Sequence, residues 1–102
     1  MDEVKVMGLT DGSLRIVLSG DIDLGNAEQF YQTVAAAYGE TPANLLFDCE
    51  NLQFIDSTTL GTFVKLLKTA KVNGHTVKLV GLQSKIKKLF LICSLDKIME
   101  IA

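Results

Sequence analysis

At 102 residues, 48% hydrophobic and 22% charged with a single proline, the chain is expected to form one globular domain over residues 1–102, with no room for separate cofactor-binding and substrate-binding halves. No apolar run approaches the roughly 18 to 20 residues of a membrane helix, and Met1-Asp2-Glu3 lacks the basic start of a signal peptide, so a cytoplasmic protein without membrane insertion is expected. The net charge of −2 hides a division: residues 1–64 carry ten acidic and two basic side chains, and residues 65–102 carry two acidic side chains and eight lysines without arginine, a pattern of solvated helix faces that excludes a nucleic-acid groove from the expectation.

Val4 and Val6 alternate with polar neighbours, and Leu14, Ile16 and Leu18 alternate with Arg15, Val17 and Ser19 beyond Thr10-Asp11-Gly12, the pattern of a β-hairpin with one buried face. After Gly20-Asp21-Ile22-Asp23, Asn26 and Gln29 have capping-box spacing around Ala27, Phe30, Val34 and Tyr38, which predicts a helix over about 27–38, stopped by Gly39. Leu45-Leu46-Phe47 reads as a short strand apolar on both sides, ended by Asp48-Cys49-Glu50. A second helix over about 57–73 places Leu60, Phe63, Val64, Leu67 and Ala70 inward and Lys65, Lys68 and Lys71 outward. A strand over 75–82 follows, then a helix capped by Ser84 with Ile86, Leu89, Phe90 and Cys93 on its apolar face, and an edge strand over 98–101. The order ββαβαβαβ defines the expected fold class as α/β, a mixed sheet of about five strands with helices layered against it.

Groups suited to catalysis are few, and no catalytic, cofactor-binding or metal residue is assigned. His75 follows a Gly74 turn at a strand start, where a solvent-exposed ring is expected. There is no Gly-x-Ser-x-Gly elbow, and the dispersed glycines make no phosphate loop. Asp21, Asp23 and Asp48 would suit a hard cation if they were gathered, yet turn and cap roles account for them. Cys49 and Cys93 lack metal or redox spacing and read as small buried hydrophobes. What remains is the step from strand to helix at Asp56-Ser57. Either side chain could serve simply as a helix N-cap. Alternatively, Ser57 is a modifiable hydroxyl beside unpaired N–H groups and a partial positive charge, with Thr58 and Thr62 on the outer helix face as an uncharged docking surface.

Four segments carry a family likeness: Ser19-Gly20-Asp21-Ile22-Asp23; Leu45-Leu46-Phe47-Asp48; Leu52-Gln53-Phe54-Ile55-Asp56-Ser57-Thr58-Thr59-Leu60-Gly61; and Lys88-Leu89-Phe90 with Leu95-Asp96-Lys97-Ile98. On these the chain resembles the STAS domain over essentially its whole length, and within that family the anti-sigma factor antagonists of bacteria. The resemblance implies a STAS fold and a switchable ligand that is not itself an enzyme and needs no cofactor. In its unmodified form such a protein binds an anti-sigma factor serine kinase and releases a sigma factor. Phosphorylation of the serine after the motif aspartate, here Ser57, switches binding off, and a serine phosphatase acting on phospho-Ser57 restores it. Partner contacts are implied at Asp23, Asp56, Ser57, Thr58, Thr59, Gly61 and Thr62, with Asp56 fixing the loop or receiving hydrogen bonds from the partner.

One position departs from the family pattern: Thr59 stands where a glycine is usual, and is expected to project a branched side chain near Ser57 and reshape the docking face. Two other readings stay open. One is a constitutive STAS scaffold, or a subunit of a signalling or lipid-transport complex, without a phosphoswitch. The other is a receiver-like domain with Asp48 as acceptor and Asp21 and Asp23 on Mg²⁺. One sheet and three helices account for the apolar residues, so a monomer is expected.

Overall fold

In the computed structural model, which describes residues 1–102, strand β1 (Val4–Thr10) turns into β2 (Ser13–Ile22) through Asp11 and Gly12, both at positive φ (52° and 84°). Such a two-residue turn matches the twist of antiparallel strands, and the hairpin forms as the sequence predicts. The chain continues through α1 (Ala27–Glu40), β3 (Asn44–Ile55), α2 (Ser57–Val72), β4 (Val77–Val80), α3 (Ser84–Ile92), a 3-10 turn at Leu95–Lys97 and β5 (Glu100–Ile101). Strand order is β1-β2-β3-β4-β5, with β1 and β2 antiparallel and every later pair parallel.

This order decides where the core lies. Crossovers between parallel strands are right-handed, so a sheet that grows in one direction without reversal receives every crossover helix on the same face. Phe30 of α1, Phe63 of α2 and Phe90 of α3 accordingly meet Phe47 of β3 in one cluster. Phe63 lies edge-on to Phe30, Phe47 and Phe90 at centroid distances of 5.2, 5.2 and 5.4 Å, a favoured arrangement for aromatic rings. The opposite sheet face is open. It carries Arg15, Val17, Leu46, Asp48, Lys78 and Val80, all half-buried, and two ion pairs, Arg15–Asp48 at 2.6 Å and Lys78–Glu100 at 3.0 Å. The expectation that Leu45-Leu46-Phe47 is covered on both sides is therefore corrected: Leu45 and Phe47 are buried, and Leu46 faces out between Arg15 and Lys78.

Strand β3 is also far longer than the three residues expected. It shifts register against β2 twice, between Val17 and Ser19 and between Gly20 and Asp21. Each shift gives β3 an extra residue, so its buried positions run Leu45, Phe47, Cys49, then Leu52 and Ile55. A period of two that breaks into steps of three has no simple strand signature. Gly81, at φ 76°, passes so close to this segment that a Cβ would lie 3.1 Å from the Glu50 nitrogen.

Other local expectations are corrected by their surroundings. Helix α1 runs through Gly39, and the Thr41 N–H closes it on the Ala37 carbonyl before Pro42. Gln83 occupies the N-cap of α3, with Ser84 the first helical residue. That helix buries only Ile86 and Phe90; it ends at Ile92, so Cys93 falls in the cap and is exposed. Cys49 is buried as expected, and burial, with the charge of Asp48 beside it, pushes its thiol up to about 12. His75 is half-buried, with Nδ1 2.5 Å from the Tyr38 hydroxyl, at the N-terminal end of the parallel strands.

Phe63→Ala should destabilise the protein by about 4 kcal/mol, because it opens a cavity among three rings, and Leu46→Ala on the open face by under about 2 kcal/mol. Urea denaturation of the two variants measures both; equal losses would contradict a one-sided core.

Candidate functional site

Strands β2 and β3 end side by side, with Ile22 paired to Ile55. The segments that follow them, Asp23–Asn26 and Asp56–Ser57, thus emerge together at the carboxyl ends of parallel strands, where α/β sheets place their sites.

The first segment is tied by its own side chains. Asn26 has the spacing of a helix cap, yet its side chain turns backward: Oδ1 accepts the Asp23 N–H at 2.8 Å and Nδ2 donates to the Asp21 carbonyl at 2.9 Å. The Asp23 carboxylate accepts the Gly25 N–H at 2.9 Å, and its carbonyl accepts the Asn26 and Ala27 N–H groups. This compact turn lifts Leu24 into solvent, 76% exposed.

Asp56 caps α2 and also holds the neighbouring loop. Oδ1 accepts the Thr59 N–H at 3.1 Å, and Oδ2 accepts the N–H of Leu24, 32 residues away in sequence, at 2.9 Å. Partial desolvation pushes its carboxyl up. The N–H groups of Thr59 and Leu24, the Thr59 hydroxyl and the Thr58 N–H outweigh that effect and hold it below the usual carboxylate value. Asp56 thus ties the loop after β2 to the first turn of α2.

Ser57 is the first residue of α2, exposed, with no hydrogen bond from its hydroxyl within the chain. Thr58 and Gly61 are exposed beside it. Thr59 and Thr62 correct the expectation. Thr59 is 0% exposed, with its hydroxyl donating to the Ile22 carbonyl. Thr62 is 5% exposed, with its hydroxyl donating to the Thr58 carbonyl at 3.2 Å. Thr59 thus does not project into the docking face, and Thr62 does not lie on the outer surface. The reason is a rotation of the helix: its inward stripe is Thr59, Thr62, Phe63, Leu66, Leu67 and Ala70, which leaves Leu60 and Val64 half-buried at the margin. Thr62 keeps only an edge in a shallow groove of ≈ 330 Å³, where Leu24, Glu28, Thr58, Gly61 and Lys65 provide the accessible lining.

Two apolar groups beside the site lay outside the sequence reading. Leu24 carries a sequence signal, a large aliphatic residue between Asp23 and Gly25 where no strand or helix periodicity gives it a core partner. Phe54, 49% exposed, lines a second groove with Ile55, Lys85 and Leu89, between the end of β3 and α3. It was hidden by the bulged phase of β3.

Asp21, Asp23 and Asp48 do not come together, and nowhere do three carboxylate, histidine or cysteine side chains gather as a metal site. Asp48 lies in mid-strand on the open face, where hydrogen bonds from Arg15 and from the Glu50 N–H hold its carboxyl below the usual value. β3 continues to Ile55 beyond it, so the strand-end acceptor of a receiver-like site is absent.

Fold and site together define a one-sided α/β domain that presents a free hydroxyl and apolar side chains at one end of its sheet. The chain belongs to the STAS domain family, whose model matches residues 6–102. The anti-sigma-B factor antagonist of Bacillus subtilis is 28% identical over 92 residues, 90% of this chain and 84% of that protein. An anti-sigma factor antagonist from Mycobacterium paratuberculosis has the same fold, with a TM-score of 0.79 at 23% identity over 96% of this chain and 82% of that one. SpoIIAA, a Bacillus cell fate determinant solved in its phosphorylated form, superposes with a TM-score of 0.73 at 22% identity, covering 97% and 90% of the two chains. No helix is long and apolar enough to cross a membrane.

The lowered native value of Asp56 gives a signed pH dependence. Its contribution to stability is present above the ordinary carboxylate pKa and is lost as pH falls through the native value. The gap in Tm between wild type and Asp56→Asn should be widest near neutral pH and close below about pH 4. Thermal unfolding followed from about pH 2 to pH 7 measures it, and a gap constant with pH would show that the charge does not hold the loop.

Proposed function

We propose that this chain is an anti-sigma factor antagonist in which phosphorylation of Ser57 switches partner binding off. One observation carries the reading: the Ser57 hydroxyl is exposed and unengaged at the start of α2, while the neighbouring Asp56 carboxylate and Thr59 hydroxyl are committed to backbone groups. The names of its relatives and the existence of a phosphorylated SpoIIAA support it.

In this reading the unmodified protein, a cytoplasmic monomer formed by one domain over residues 1–102, docks on an anti-sigma factor serine kinase. The docking surface comprises Asp23, Ser57, Thr58 and Gly61, held in place by Asp56. A phosphate adds roughly −1.5 to −2 charge. The helix N-terminus tolerates that charge, but an apposed protein surface would have to desolvate it, so binding is lost at the interface without refolding. Asp56 repels an incoming phosphate and both its oxygens are occupied, so the kinase supplies the base together with ATP and Mg²⁺. A serine phosphatase reverses the modification. The chain performs no catalysis, holds no cofactor and binds no nucleic acid.

The test is peptide mapping by mass spectrometry after incubation with ATP and the kinase captured from the protein's own cytosol. An acid-stable gain of about 80 Da on Ser57, the mass of one phosphoryl group, that disappears in Ser57→Ala is expected. A captured kinase that leaves residues Ser57, Thr58 and Thr59 unmodified would remove the phosphoswitch and favour a constitutive STAS scaffold.

A further inference from the structure

Thr59 is buried in the first turn of α2, between the exposed Ser57 and Thr58 and the half-buried Leu60. Its hydroxyl reaches the carbonyl of Ile22, the last residue of β2 and 37 residues away in sequence, and lies 3.2 Å from Asp56 Oδ1. Asp56 in turn holds the Thr59 N–H and, through its other oxygen, the Leu24 N–H. The end of β2 and the loop after it are therefore fastened to the acceptor helix at two points two residues apart, Ile22 through Thr59 and Leu24 through Asp56. Leu24, 76% exposed, stands on that fastened loop and lines the groove beside Thr58 and Gly61.

We infer that Thr59 is a positioning residue whose hydroxyl locks the loop after β2 to the start of α2, so that Leu24 and Ser57 stand on one rigid surface. Glycine or alanine at position 59 would leave the Ile22 carbonyl without this donor, and the Leu24 contact would then hang on Asp56 alone. An exposed leucine on a short polar loop is a good binding anchor only if its backbone is already ordered, because the ordering entropy is then not charged against binding. The consequence for partner affinity rests on the reading of Ser57 given above. The lock itself is a property of the free chain and is measured without partner or phosphate.

Residue-resolved amide hydrogen exchange on the full chain tests it in wild type, Thr59→Val and Thr59→Ser. Valine keeps the shape and removes the hydroxyl; serine keeps the hydroxyl. Exchange at the Leu24 N–H should rise about tenfold in Thr59→Val, the scale of one hydrogen bond, with the amides of Phe47 and Cys49 in β3 unchanged, and return to the wild-type rate in Thr59→Ser. Thr59→Ala, which removes bulk as well as the hydroxyl, gives the same reading if the valine variant does not fold. Unchanged exchange at Leu24, or an equal rise at Leu24 and throughout β3, would overturn the inference, the second because it reports loss of global stability only. Neither result bears on whether Ser57 is phosphorylated, which peptide mapping decides separately.

Discussion

The shape of the exposed end of this protein depends on one carboxylate. Asp56 follows β3, caps α2 and holds the loop that follows β2, a contact across 32 residues of sequence. A cap bond alone would stabilise the first turn of the helix. The second bond, to the Leu24 N–H, makes helix start and loop move together. Asn would keep one acceptor oxygen, lose the charge that strengthens its bond and turn an NH2 donor toward the other N–H, which it cannot accept.

The junction can form because of the way the sheet is built. Strand order advances in one direction from β1 to β5, so all three helices pack on one face and the aromatic cluster centred on Phe63 anchors α2 from within. Two bulges extend β3 until Ile55 stands level with Ile22, and this brings Asp56 within reach of Leu24. Bulges beside functional loops commonly re-aim side chains in this way.

Much of this was legible in the sequence, and the losses have physical causes. The hairpin announced itself through Asp11-Gly12 and the alternation of Leu14, Ile16 and Leu18. The order of elements followed from periodicity, and the family likeness converged on the same fold. The length of β3 was hidden because bulges break a period of two. The inward face of α2 holds Phe63, Leu67 and Ala70 as expected but is rotated at its margin: Leu60 and Val64 outrank Thr59 and Thr62 in hydrophobicity, whereas the fold buries the threonines with their hydroxyls bonded to carbonyls, which removes most of the cost of burying them. Cys93 was misplaced because α3 stops one residue short of it. Ser57 was visible from its place after the strand, but the partner of Asp56 was not, since no local pattern encodes a contact with Leu24.

A domain fastened in this manner suits a switch that works by surface charge and not by rearrangement. Phosphate on Ser57 would sit at the partly positive start of α2, while the aromatic core beneath stays packed. The most direct measurement is a residue-by-residue comparison of ¹H–¹⁵N NMR spectra of the unmodified and Ser57-phosphorylated protein. The account predicts shifts confined to residues 23–25 and 56–61. Changes that reach Phe30, Phe47, Phe63 and Phe90 would contradict it, because the modification would then be read through the core.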